Sequence, residues 1–200
     1  IAWLHLQIAQ NTPHIGVVIP ELQQQSRSLQ RLLLSHFSAD LFDISLGQAL
    51  NEFPLIAHAL CWLNLDTQYF TLHQVTLLLQ SPYLDEGKKE FLARAQYLQD
   101  GHLLQERHIP FKHLVHDLKT QAPKLAQLLT QIKTYPPKAS PQEWIVLFQE
   151  RLNSLGFPGD GGLNCENYQC LNRLINIFDE FRQLSLISPK LNTQEALEAL

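Results

Sequence analysis

The chain has 200 residues, 45% of them hydrophobic and 17% charged, which is enough apolar material to bury a core and excludes both a disordered segment and a miniature scaffold. Leucine and glutamine dominate while glycine takes only 8 positions, a helix-forming balance that excludes an all-β fold. A formal charge of -4 removes the whole-chain basic footprint of a self-sufficient nucleic-acid binder, so any such contact must be local.

Residues 1–9 carry apolar side chains at helical spacing and stop at Asn11-Thr12-Pro13, which predicts the tail of a helix. Ile15-Gly16-Val17-Val18-Ile19, closed by Pro20, predicts a buried strand of a parallel sheet. From Glu21 to Phe37, Leu22, Leu29, Leu32, Leu33 and Phe37 define one apolar side of a helix, and Leu41–Leu46 alternates into a second short strand ending at Gly47. This gives a small α/β strand-helix-strand element over residues 12–47.

No strand is expected after Gly47. Pro54 opens a helix through Leu65, Thr71 caps one to Gln80, and a charged helix covers 86–99. Pro110 opens a helix to Gln121 and Pro123 one to Thr134, with Tyr135-Pro136-Pro137 reading as a linker. Ser140-Pro141-Gln142-Glu143 has the capping-box pattern for a helix through Leu155. Gly156–Gly162 is a turn, and Asn164 caps a long helix to Leu186 before Ser188-Pro189 ends it. The expected fold is mostly α, with domains at 1–50 and 51–200 and an optional internal boundary at 135–140. Methionine is absent and Glu198-Ala199-Leu200 reads as mid-helix, so a piece of a longer protein is expected.

The chemistry-bearing residues form no catalytic set. His113 and His116, with His108 and Asp117 nearby, have a spacing that metals use, but no accompanying carboxylate pattern supports a site. Gly156–Gly162 lacks a phosphate-loop lysine and follows a helix, so it reads as a helix-helix turn. Cys61, Cys165 and Cys170 show no paired spacing, and Cys165 and Cys170 fall on nearly opposite sides of one helix. Neither a metal nor a cofactor is expected. No apolar run reaches membrane-spanning length and the start lacks a signal peptide's basic flank, so a cytoplasmic location away from membranes is expected.

Charge is uneven along the chain. Lys and Arg stand against Asp and Glu as 2 to 5 over residues 1–80, 9 to 6 over 81–138, and 4 to 8 over 139–200. The basic middle nominates Lys88, Lys89, Arg94, Lys112, Lys119 and Lys124, together with Arg107 and Lys133, as cations that follow a phosphate backbone if the helices gather them on one surface. Tyr83 or Tyr97 would then supply stacking. The alternative is that these are ordinary solvated lysines on helix backs.

Three stretches carry a family resemblance: Ile15-Gly16-Val17-Val18-Ile19-Pro20-Glu21-Leu22-Gln23-Gln24, then Phe42-Asp43-Ile44-Ser45-Leu46-Gly47-Gln48-Ala49-Leu50 with Phe53-Pro54-Leu55, and Leu78-Leu79-Gln80-Ser81-Pro82-Tyr83-Leu84. Gly156-Phe157-Pro158-Gly159 and Glu166-x-Tyr168-Gln169 add a later match. In this order they resemble a bacterial family of probable DNA repair proteins, in which an inactivated superfamily I helicase region similar to AddB is joined to a C-terminal PD-(D/E)XK nuclease. The resemblance implies a partial RecA-like segment at 1–50, entered at helicase motif IV, and an inserted helical subdomain at 51–200. Active helicases of this class carry an arginine at the end of the motif IV strand; Pro20 and Glu21 stand there in this chain, and an acidic side chain would repel ATP.

The expected function is that of a non-catalytic helical scaffold or DNA-contacting module of such a repair protein, whose whole chain would be an exonuclease with an inactivated helicase. DNA, the parent's nuclease domain and a partner helicase subunit are the expected partners. The alternative is a protein-interaction module that docks the nuclease domain or a partner subunit without touching nucleic acid.

Overall fold

The structure, a computed structural model, describes residues 1–10, 12–45, 49–100 and 108–200. These are mostly helical, with one two-stranded antiparallel ribbon, which is the class the composition predicts. The chain divides into two compact units, Ile1–Ala49 and Leu50–Leu200.

In the first unit the regular helices are α1 (Ala2–Ala9) and α2 (Leu22–Leu34). His5 lies against Phe37 with ring centroids 4.7 Å apart, and Leu33 is the buried side chain among this unit's described residues. The strands expected at Ile15–Ile19 and Leu41–Leu46 are absent from the described residues; Ala39–Leu41 is a 3-10 turn, and Leu46 and Gly47 lie outside the described residues. A β-branched run is stabilised as a strand when neighbours complete its ladder and cover its side chains. Val18 is instead 91% exposed, and no described segment pairs with the run. Glu21 is the N-cap of α2 rather than the last residue of a strand, so the comparison with a motif IV arginine loses its geometric basis.

In the second unit the chain runs through α3 (Pro54–Leu63), β1 (Tyr69–Thr71), α4 (Leu72–Gln80), α5 (Phe91–Gln99) and β2 (His108–Pro110), then α6 (Phe111–Gln121), α7 (Pro123–Thr130), α8 (Pro141–Ser154), α9 (Cys165–Arg182) and α10 (Thr193–Ala199). Local signals start most of these helices. Pro54, Pro123 and Pro141 take first-turn positions where a missing N–H is harmless. Thr71 with Gln74, Ser140 with Glu143, and Asn192 with Glu195 form reciprocal capping boxes.

The core centres on α3, whose Leu55, Ile56, Ala59, Trp62 and Leu63 are buried and which packs on α4, α8 and α9. From α8, Trp144, Ile145, Phe148 and Leu152 face it. Each Leu, Ile or Phe among them contributes about 1.5–3 kcal/mol of transfer free energy when fully buried. Trp144 Nε1 donates to the Leu191 carbonyl at 2.9 Å, beside the Ala139–Leu191 bridge that ties down the chain before α10. The Tyr135-Pro136-Pro137 segment lies within this unit, with the Tyr135 ring edge-on to Trp144 and Phe148.

Arg151 braces the C-terminal end of α3. Its Nη1 donates to the carbonyls of Trp62 and Leu65 at 3.4 and 3.2 Å and Nη2 to that of Lys133 at 2.6 Å, while Tyr135 covers the guanidinium at 4.0 Å. The Trp62 carbonyl also accepts the Leu65 amide at 3.3 Å, and a cation suits the negative end of the α3 dipole.

Two loops interlock beside Trp62. Asp85 N donates to the Leu155 carbonyl at 3.2 Å, and Gly156, at φ +70°, presses so closely that an added Cβ would fall 2.3 Å from Asp85 Cβ. Gly159, at φ +89°, meets the Pro82 carbonyl in the same way. Ser81-Pro82-Tyr83-Leu84 and Gly156-Phe157-Pro158-Gly159, far apart in sequence, are therefore neighbours.

The ribbon pairs Tyr69 with Pro110, Phe70 with Ile109 and Thr71 with His108. It corrects the expectation of no strand after Gly47: three-residue strands are too short to show alternation in sequence. Its structural role is to set where α4 and α6 begin, since each strand leads directly into one of them.

Candidate nucleic-acid interface

α6 is built from Phe111-Lys112-His113-Leu114-Val115-His116-Asp117-Leu118-Lys119-Thr120-Gln121. Leu114, Val115 and Leu118 are buried, which turns Lys112, His116 and Lys119 outward. At 100° per residue these three fall within about 60° of arc, with Lys112 and Lys119 about 10 Å apart along the axis. All three are exposed. The carboxylate nearest them on the helix, Asp117, accepts the Tyr97 hydroxyl of α5 at 3.2 Å. Lys124, also exposed, follows in the first turn of α7 beyond the cap at Ala122. Among the described residues no carboxylate lies within ion-pair distance of Lys112, Lys119 or Lys124.

The remaining basic candidates sit in other surroundings. Arg94 is fully buried and is paired with Glu90 at 2.9 Å, so it cannot meet a phosphate at the surface. Lys89 is exposed but pairs with Glu86 at 2.8 Å; that hydrogen bond and charge, then Asp160 and Asp85, push its pKa up. Lys88 is exposed and lies over Gly161, whose added Cβ would stand 2.8 Å from Lys88 Nζ. Lys133 faces Glu150 at 3.8 Å. Arg107 lies outside the described residues. The fold therefore places Lys112 and Lys119 on one exposed face of α6 and Lys124 in the first turn of the next helix, while Arg94, Lys89 and Lys133 are each paired with a carboxylate.

Tyr83 and Tyr97, the expected stacking residues, are half-buried against the core; Tyr83 packs edge-on to His58 and Tyr97 is held by Asp117. An open aromatic side chain close to α6 is Tyr69, 53% exposed on β1. Sequence reasoning missed it because no strand was legible there to present it.

His58 Nδ1 and Ser81 Oγ are 2.9 Å apart, a spacing a nucleophile and base would use. Ser81 is 1% exposed and its oxygen also accepts the Tyr83 amide at 3.1 Å, so the pair holds the turn after α4. Among the described residues no three metal-binding side chains converge, and no helix is long and apolar enough to cross a membrane. Compared with models of protein families, with curated proteins and with solved structures, the chain has no match.

Proposed function

We propose that the second unit is a non-catalytic scaffold that lays a nucleic-acid backbone along α6 and the start of α7, as part of a DNA repair protein of the helicase-nuclease kind that the sequence resembles. The observation that carries the reading is the exposed stripe of Lys112 and Lys119, with Lys124 beyond it, none paired with a carboxylate among the described residues, in a chain that is acidic overall. Lysines that neutralise phosphates release the cations condensed on the nucleic acid, which favours binding at low salt. The parent's nuclease domain and a partner helicase subunit are the neighbours this scaffold would serve.

The test is fluorescence anisotropy with labelled DNA at about 50 mM salt, comparing the chain with a Lys112→Gln, Lys119→Gln, Lys124→Gln variant. Binding in the range of about 10⁻⁴ to 10⁻⁶ M, weakened at least about tenfold in the variant, supports the reading. Equal binding by both proteins, or none by either, removes it.

A second reading has an observation of its own. Tyr168 and Ile175, seven apart on α9, are 58% and 47% exposed, and Leu186 and Ile187 are 90% and 80% exposed. Apolar exposure of this kind suits a docking surface. This reading is favoured if DNA binding is absent while Tyr168→Ser with Ile175→Ser changes association with the nuclease domain.

A further inference from the structure

We infer that the strand held along α6 is single, and that Tyr69 is the platform on which one of its bases stacks; this rests on the backbone-contact reading above. Successive residues of a strand face opposite sides. Phe70 and Ile109, paired across the ribbon, are 0% and 2% exposed, so Tyr69 and its partner Pro110 face outward. Pro110 is also the N-cap of α6, and Lys112 follows two residues later.

The placement is rigid. Phe111 N donates to the Gln68 carbonyl at 2.9 Å, which ties the first residue of α6 to the residue before Tyr69. The Phe70 and Phe111 rings meet edge-on at 5.5 Å. The inner sides of the ribbon and of α6, carrying Phe70, Ile109, Leu114 and Leu118, join one core, and Tyr69, Lys112 and Lys119 on their outer sides are each exposed. Among the described residues the Tyr69 ring makes no aromatic contact and its hydroxyl no hydrogen bond.

An open aromatic face at one end of a lysine stripe selects for unpaired bases. In a duplex each base face is covered by its neighbours and only edges and phosphates are offered, so Tyr69 has nothing to stack on. In a single strand the bases can turn onto the ring while the phosphates follow Lys112 and Lys119. Every base has a π-face, so little sequence preference is expected.

The experiment measures anisotropy of a labelled oligothymidylate of about 15 nucleotides, of its duplex, and of oligouridylate, with the whole chain and its variants. Tyr69→Ala should weaken binding to both single strands about tenfold, within the range for one lost stack. It should leave duplex binding and the salt dependence unchanged, and Tyr69→Phe should bind like the original. Lys112→Gln with Lys119→Gln should weaken all three probes. If Tyr69→Ala binds single strands unchanged while the lysine variant is impaired, the stacking inference fails and backbone contact stands. If no probe binds, both fail. Equal losses of single-strand and duplex binding in Tyr69→Ala also overturn the inference, because they show a role that does not need an unpaired base.

Discussion

Glu90 accepts the backbone amide of Lys124, 34 positions later in the chain, at 2.8 Å. Its second oxygen takes the Leu125 amide at 3.0 Å. The N-cap of α7 is Ala122, which has no side-chain oxygen, so a carboxylate from the start of α5 satisfies N–H groups that would otherwise be orphaned and adds negative charge at the positive end of the helix dipole. Arg94 completes the clamp, donating Nη2 and Nε to Glu90 at 2.9 and 3.3 Å. One buried ion pair thereby sets the corner from which Lys124 projects.

Breaking the clamp from its two sides should have unequal effects. Glu90→Ala leaves a buried guanidinium unpaired and two helix amides unsatisfied, and should cost about 3–5 kcal/mol. Arg94→Met should cost clearly less, because Glu90 keeps its two backbone donors and the replacement removes Arg94 Nη1, which has no hydrogen-bond partner. Urea denaturation of both variants is the measurement, and equal losses would contradict this account of the corner.

Stability should fall in mild acid through His58. Burial first, and the nearby His73 second, hold its pKa below the ordinary 6.5. The unfolded chain therefore binds the proton that the folded chain refuses, so this contribution is intact above pH 6.5 and is lost as the pH drops below it. Denaturation midpoints of the original chain and of His58→Gln, followed across that range, should diverge downward for the original. Parallel curves would show that His58 is not the titrating group.

Gly156→Ala should destabilise the second unit by about 1–3 kcal/mol. Its backbone is in the left-handed region and its added Cβ would strike Asp85. Gly162→Ala, with nothing within 4 Å of its added Cβ, should be nearly neutral. Thermal melts of the two variants test the interlocked loops, and matching melting temperatures would argue against them.

Thiol labelling should separate the three cysteines. Cys165 is exposed, whereas burial pushes the Cys61 thiol up to about 11 and also raises that of buried Cys170. Thiolate is the reacting form. At pH 8 one equivalent should react quickly and two slowly in the folded chain, and Cys165→Ser should abolish the fast phase.

Local signals were the legible ones. Ser140 with Glu143 starts α8 within four residues, and Thr71 does the same for α4, so both helix starts can be read directly from the chain. Ile15–Ile19 looked equally clear as a strand, but a strand depends on a ladder from elsewhere, and none among the described residues supplies it. Arg94 and Lys119 look alike in sequence, each a cation on a helix. What buries Arg94 is its pairing with Glu90 where Glu90 meets α7 in space, whereas Lys119 lies on the side of α6 away from buried Leu114 and Leu118. Tyr69 became visible only once Phe70 was seen to pair with Ile109 and turn its neighbour outward.

The most direct test of the central claim is the salt dependence of single-strand DNA binding by the whole chain and by the Lys112→Gln, Lys119→Gln, Lys124→Gln variant. Each phosphate contact contributes about -0.7 to the slope of log K against log salt for single strands, so the original should show a slope steeper by about 2 than that of the variant. Superimposed slopes, or no binding by the original chain near 50 mM salt, roughly the low end of the salt range for such contacts, would contradict it.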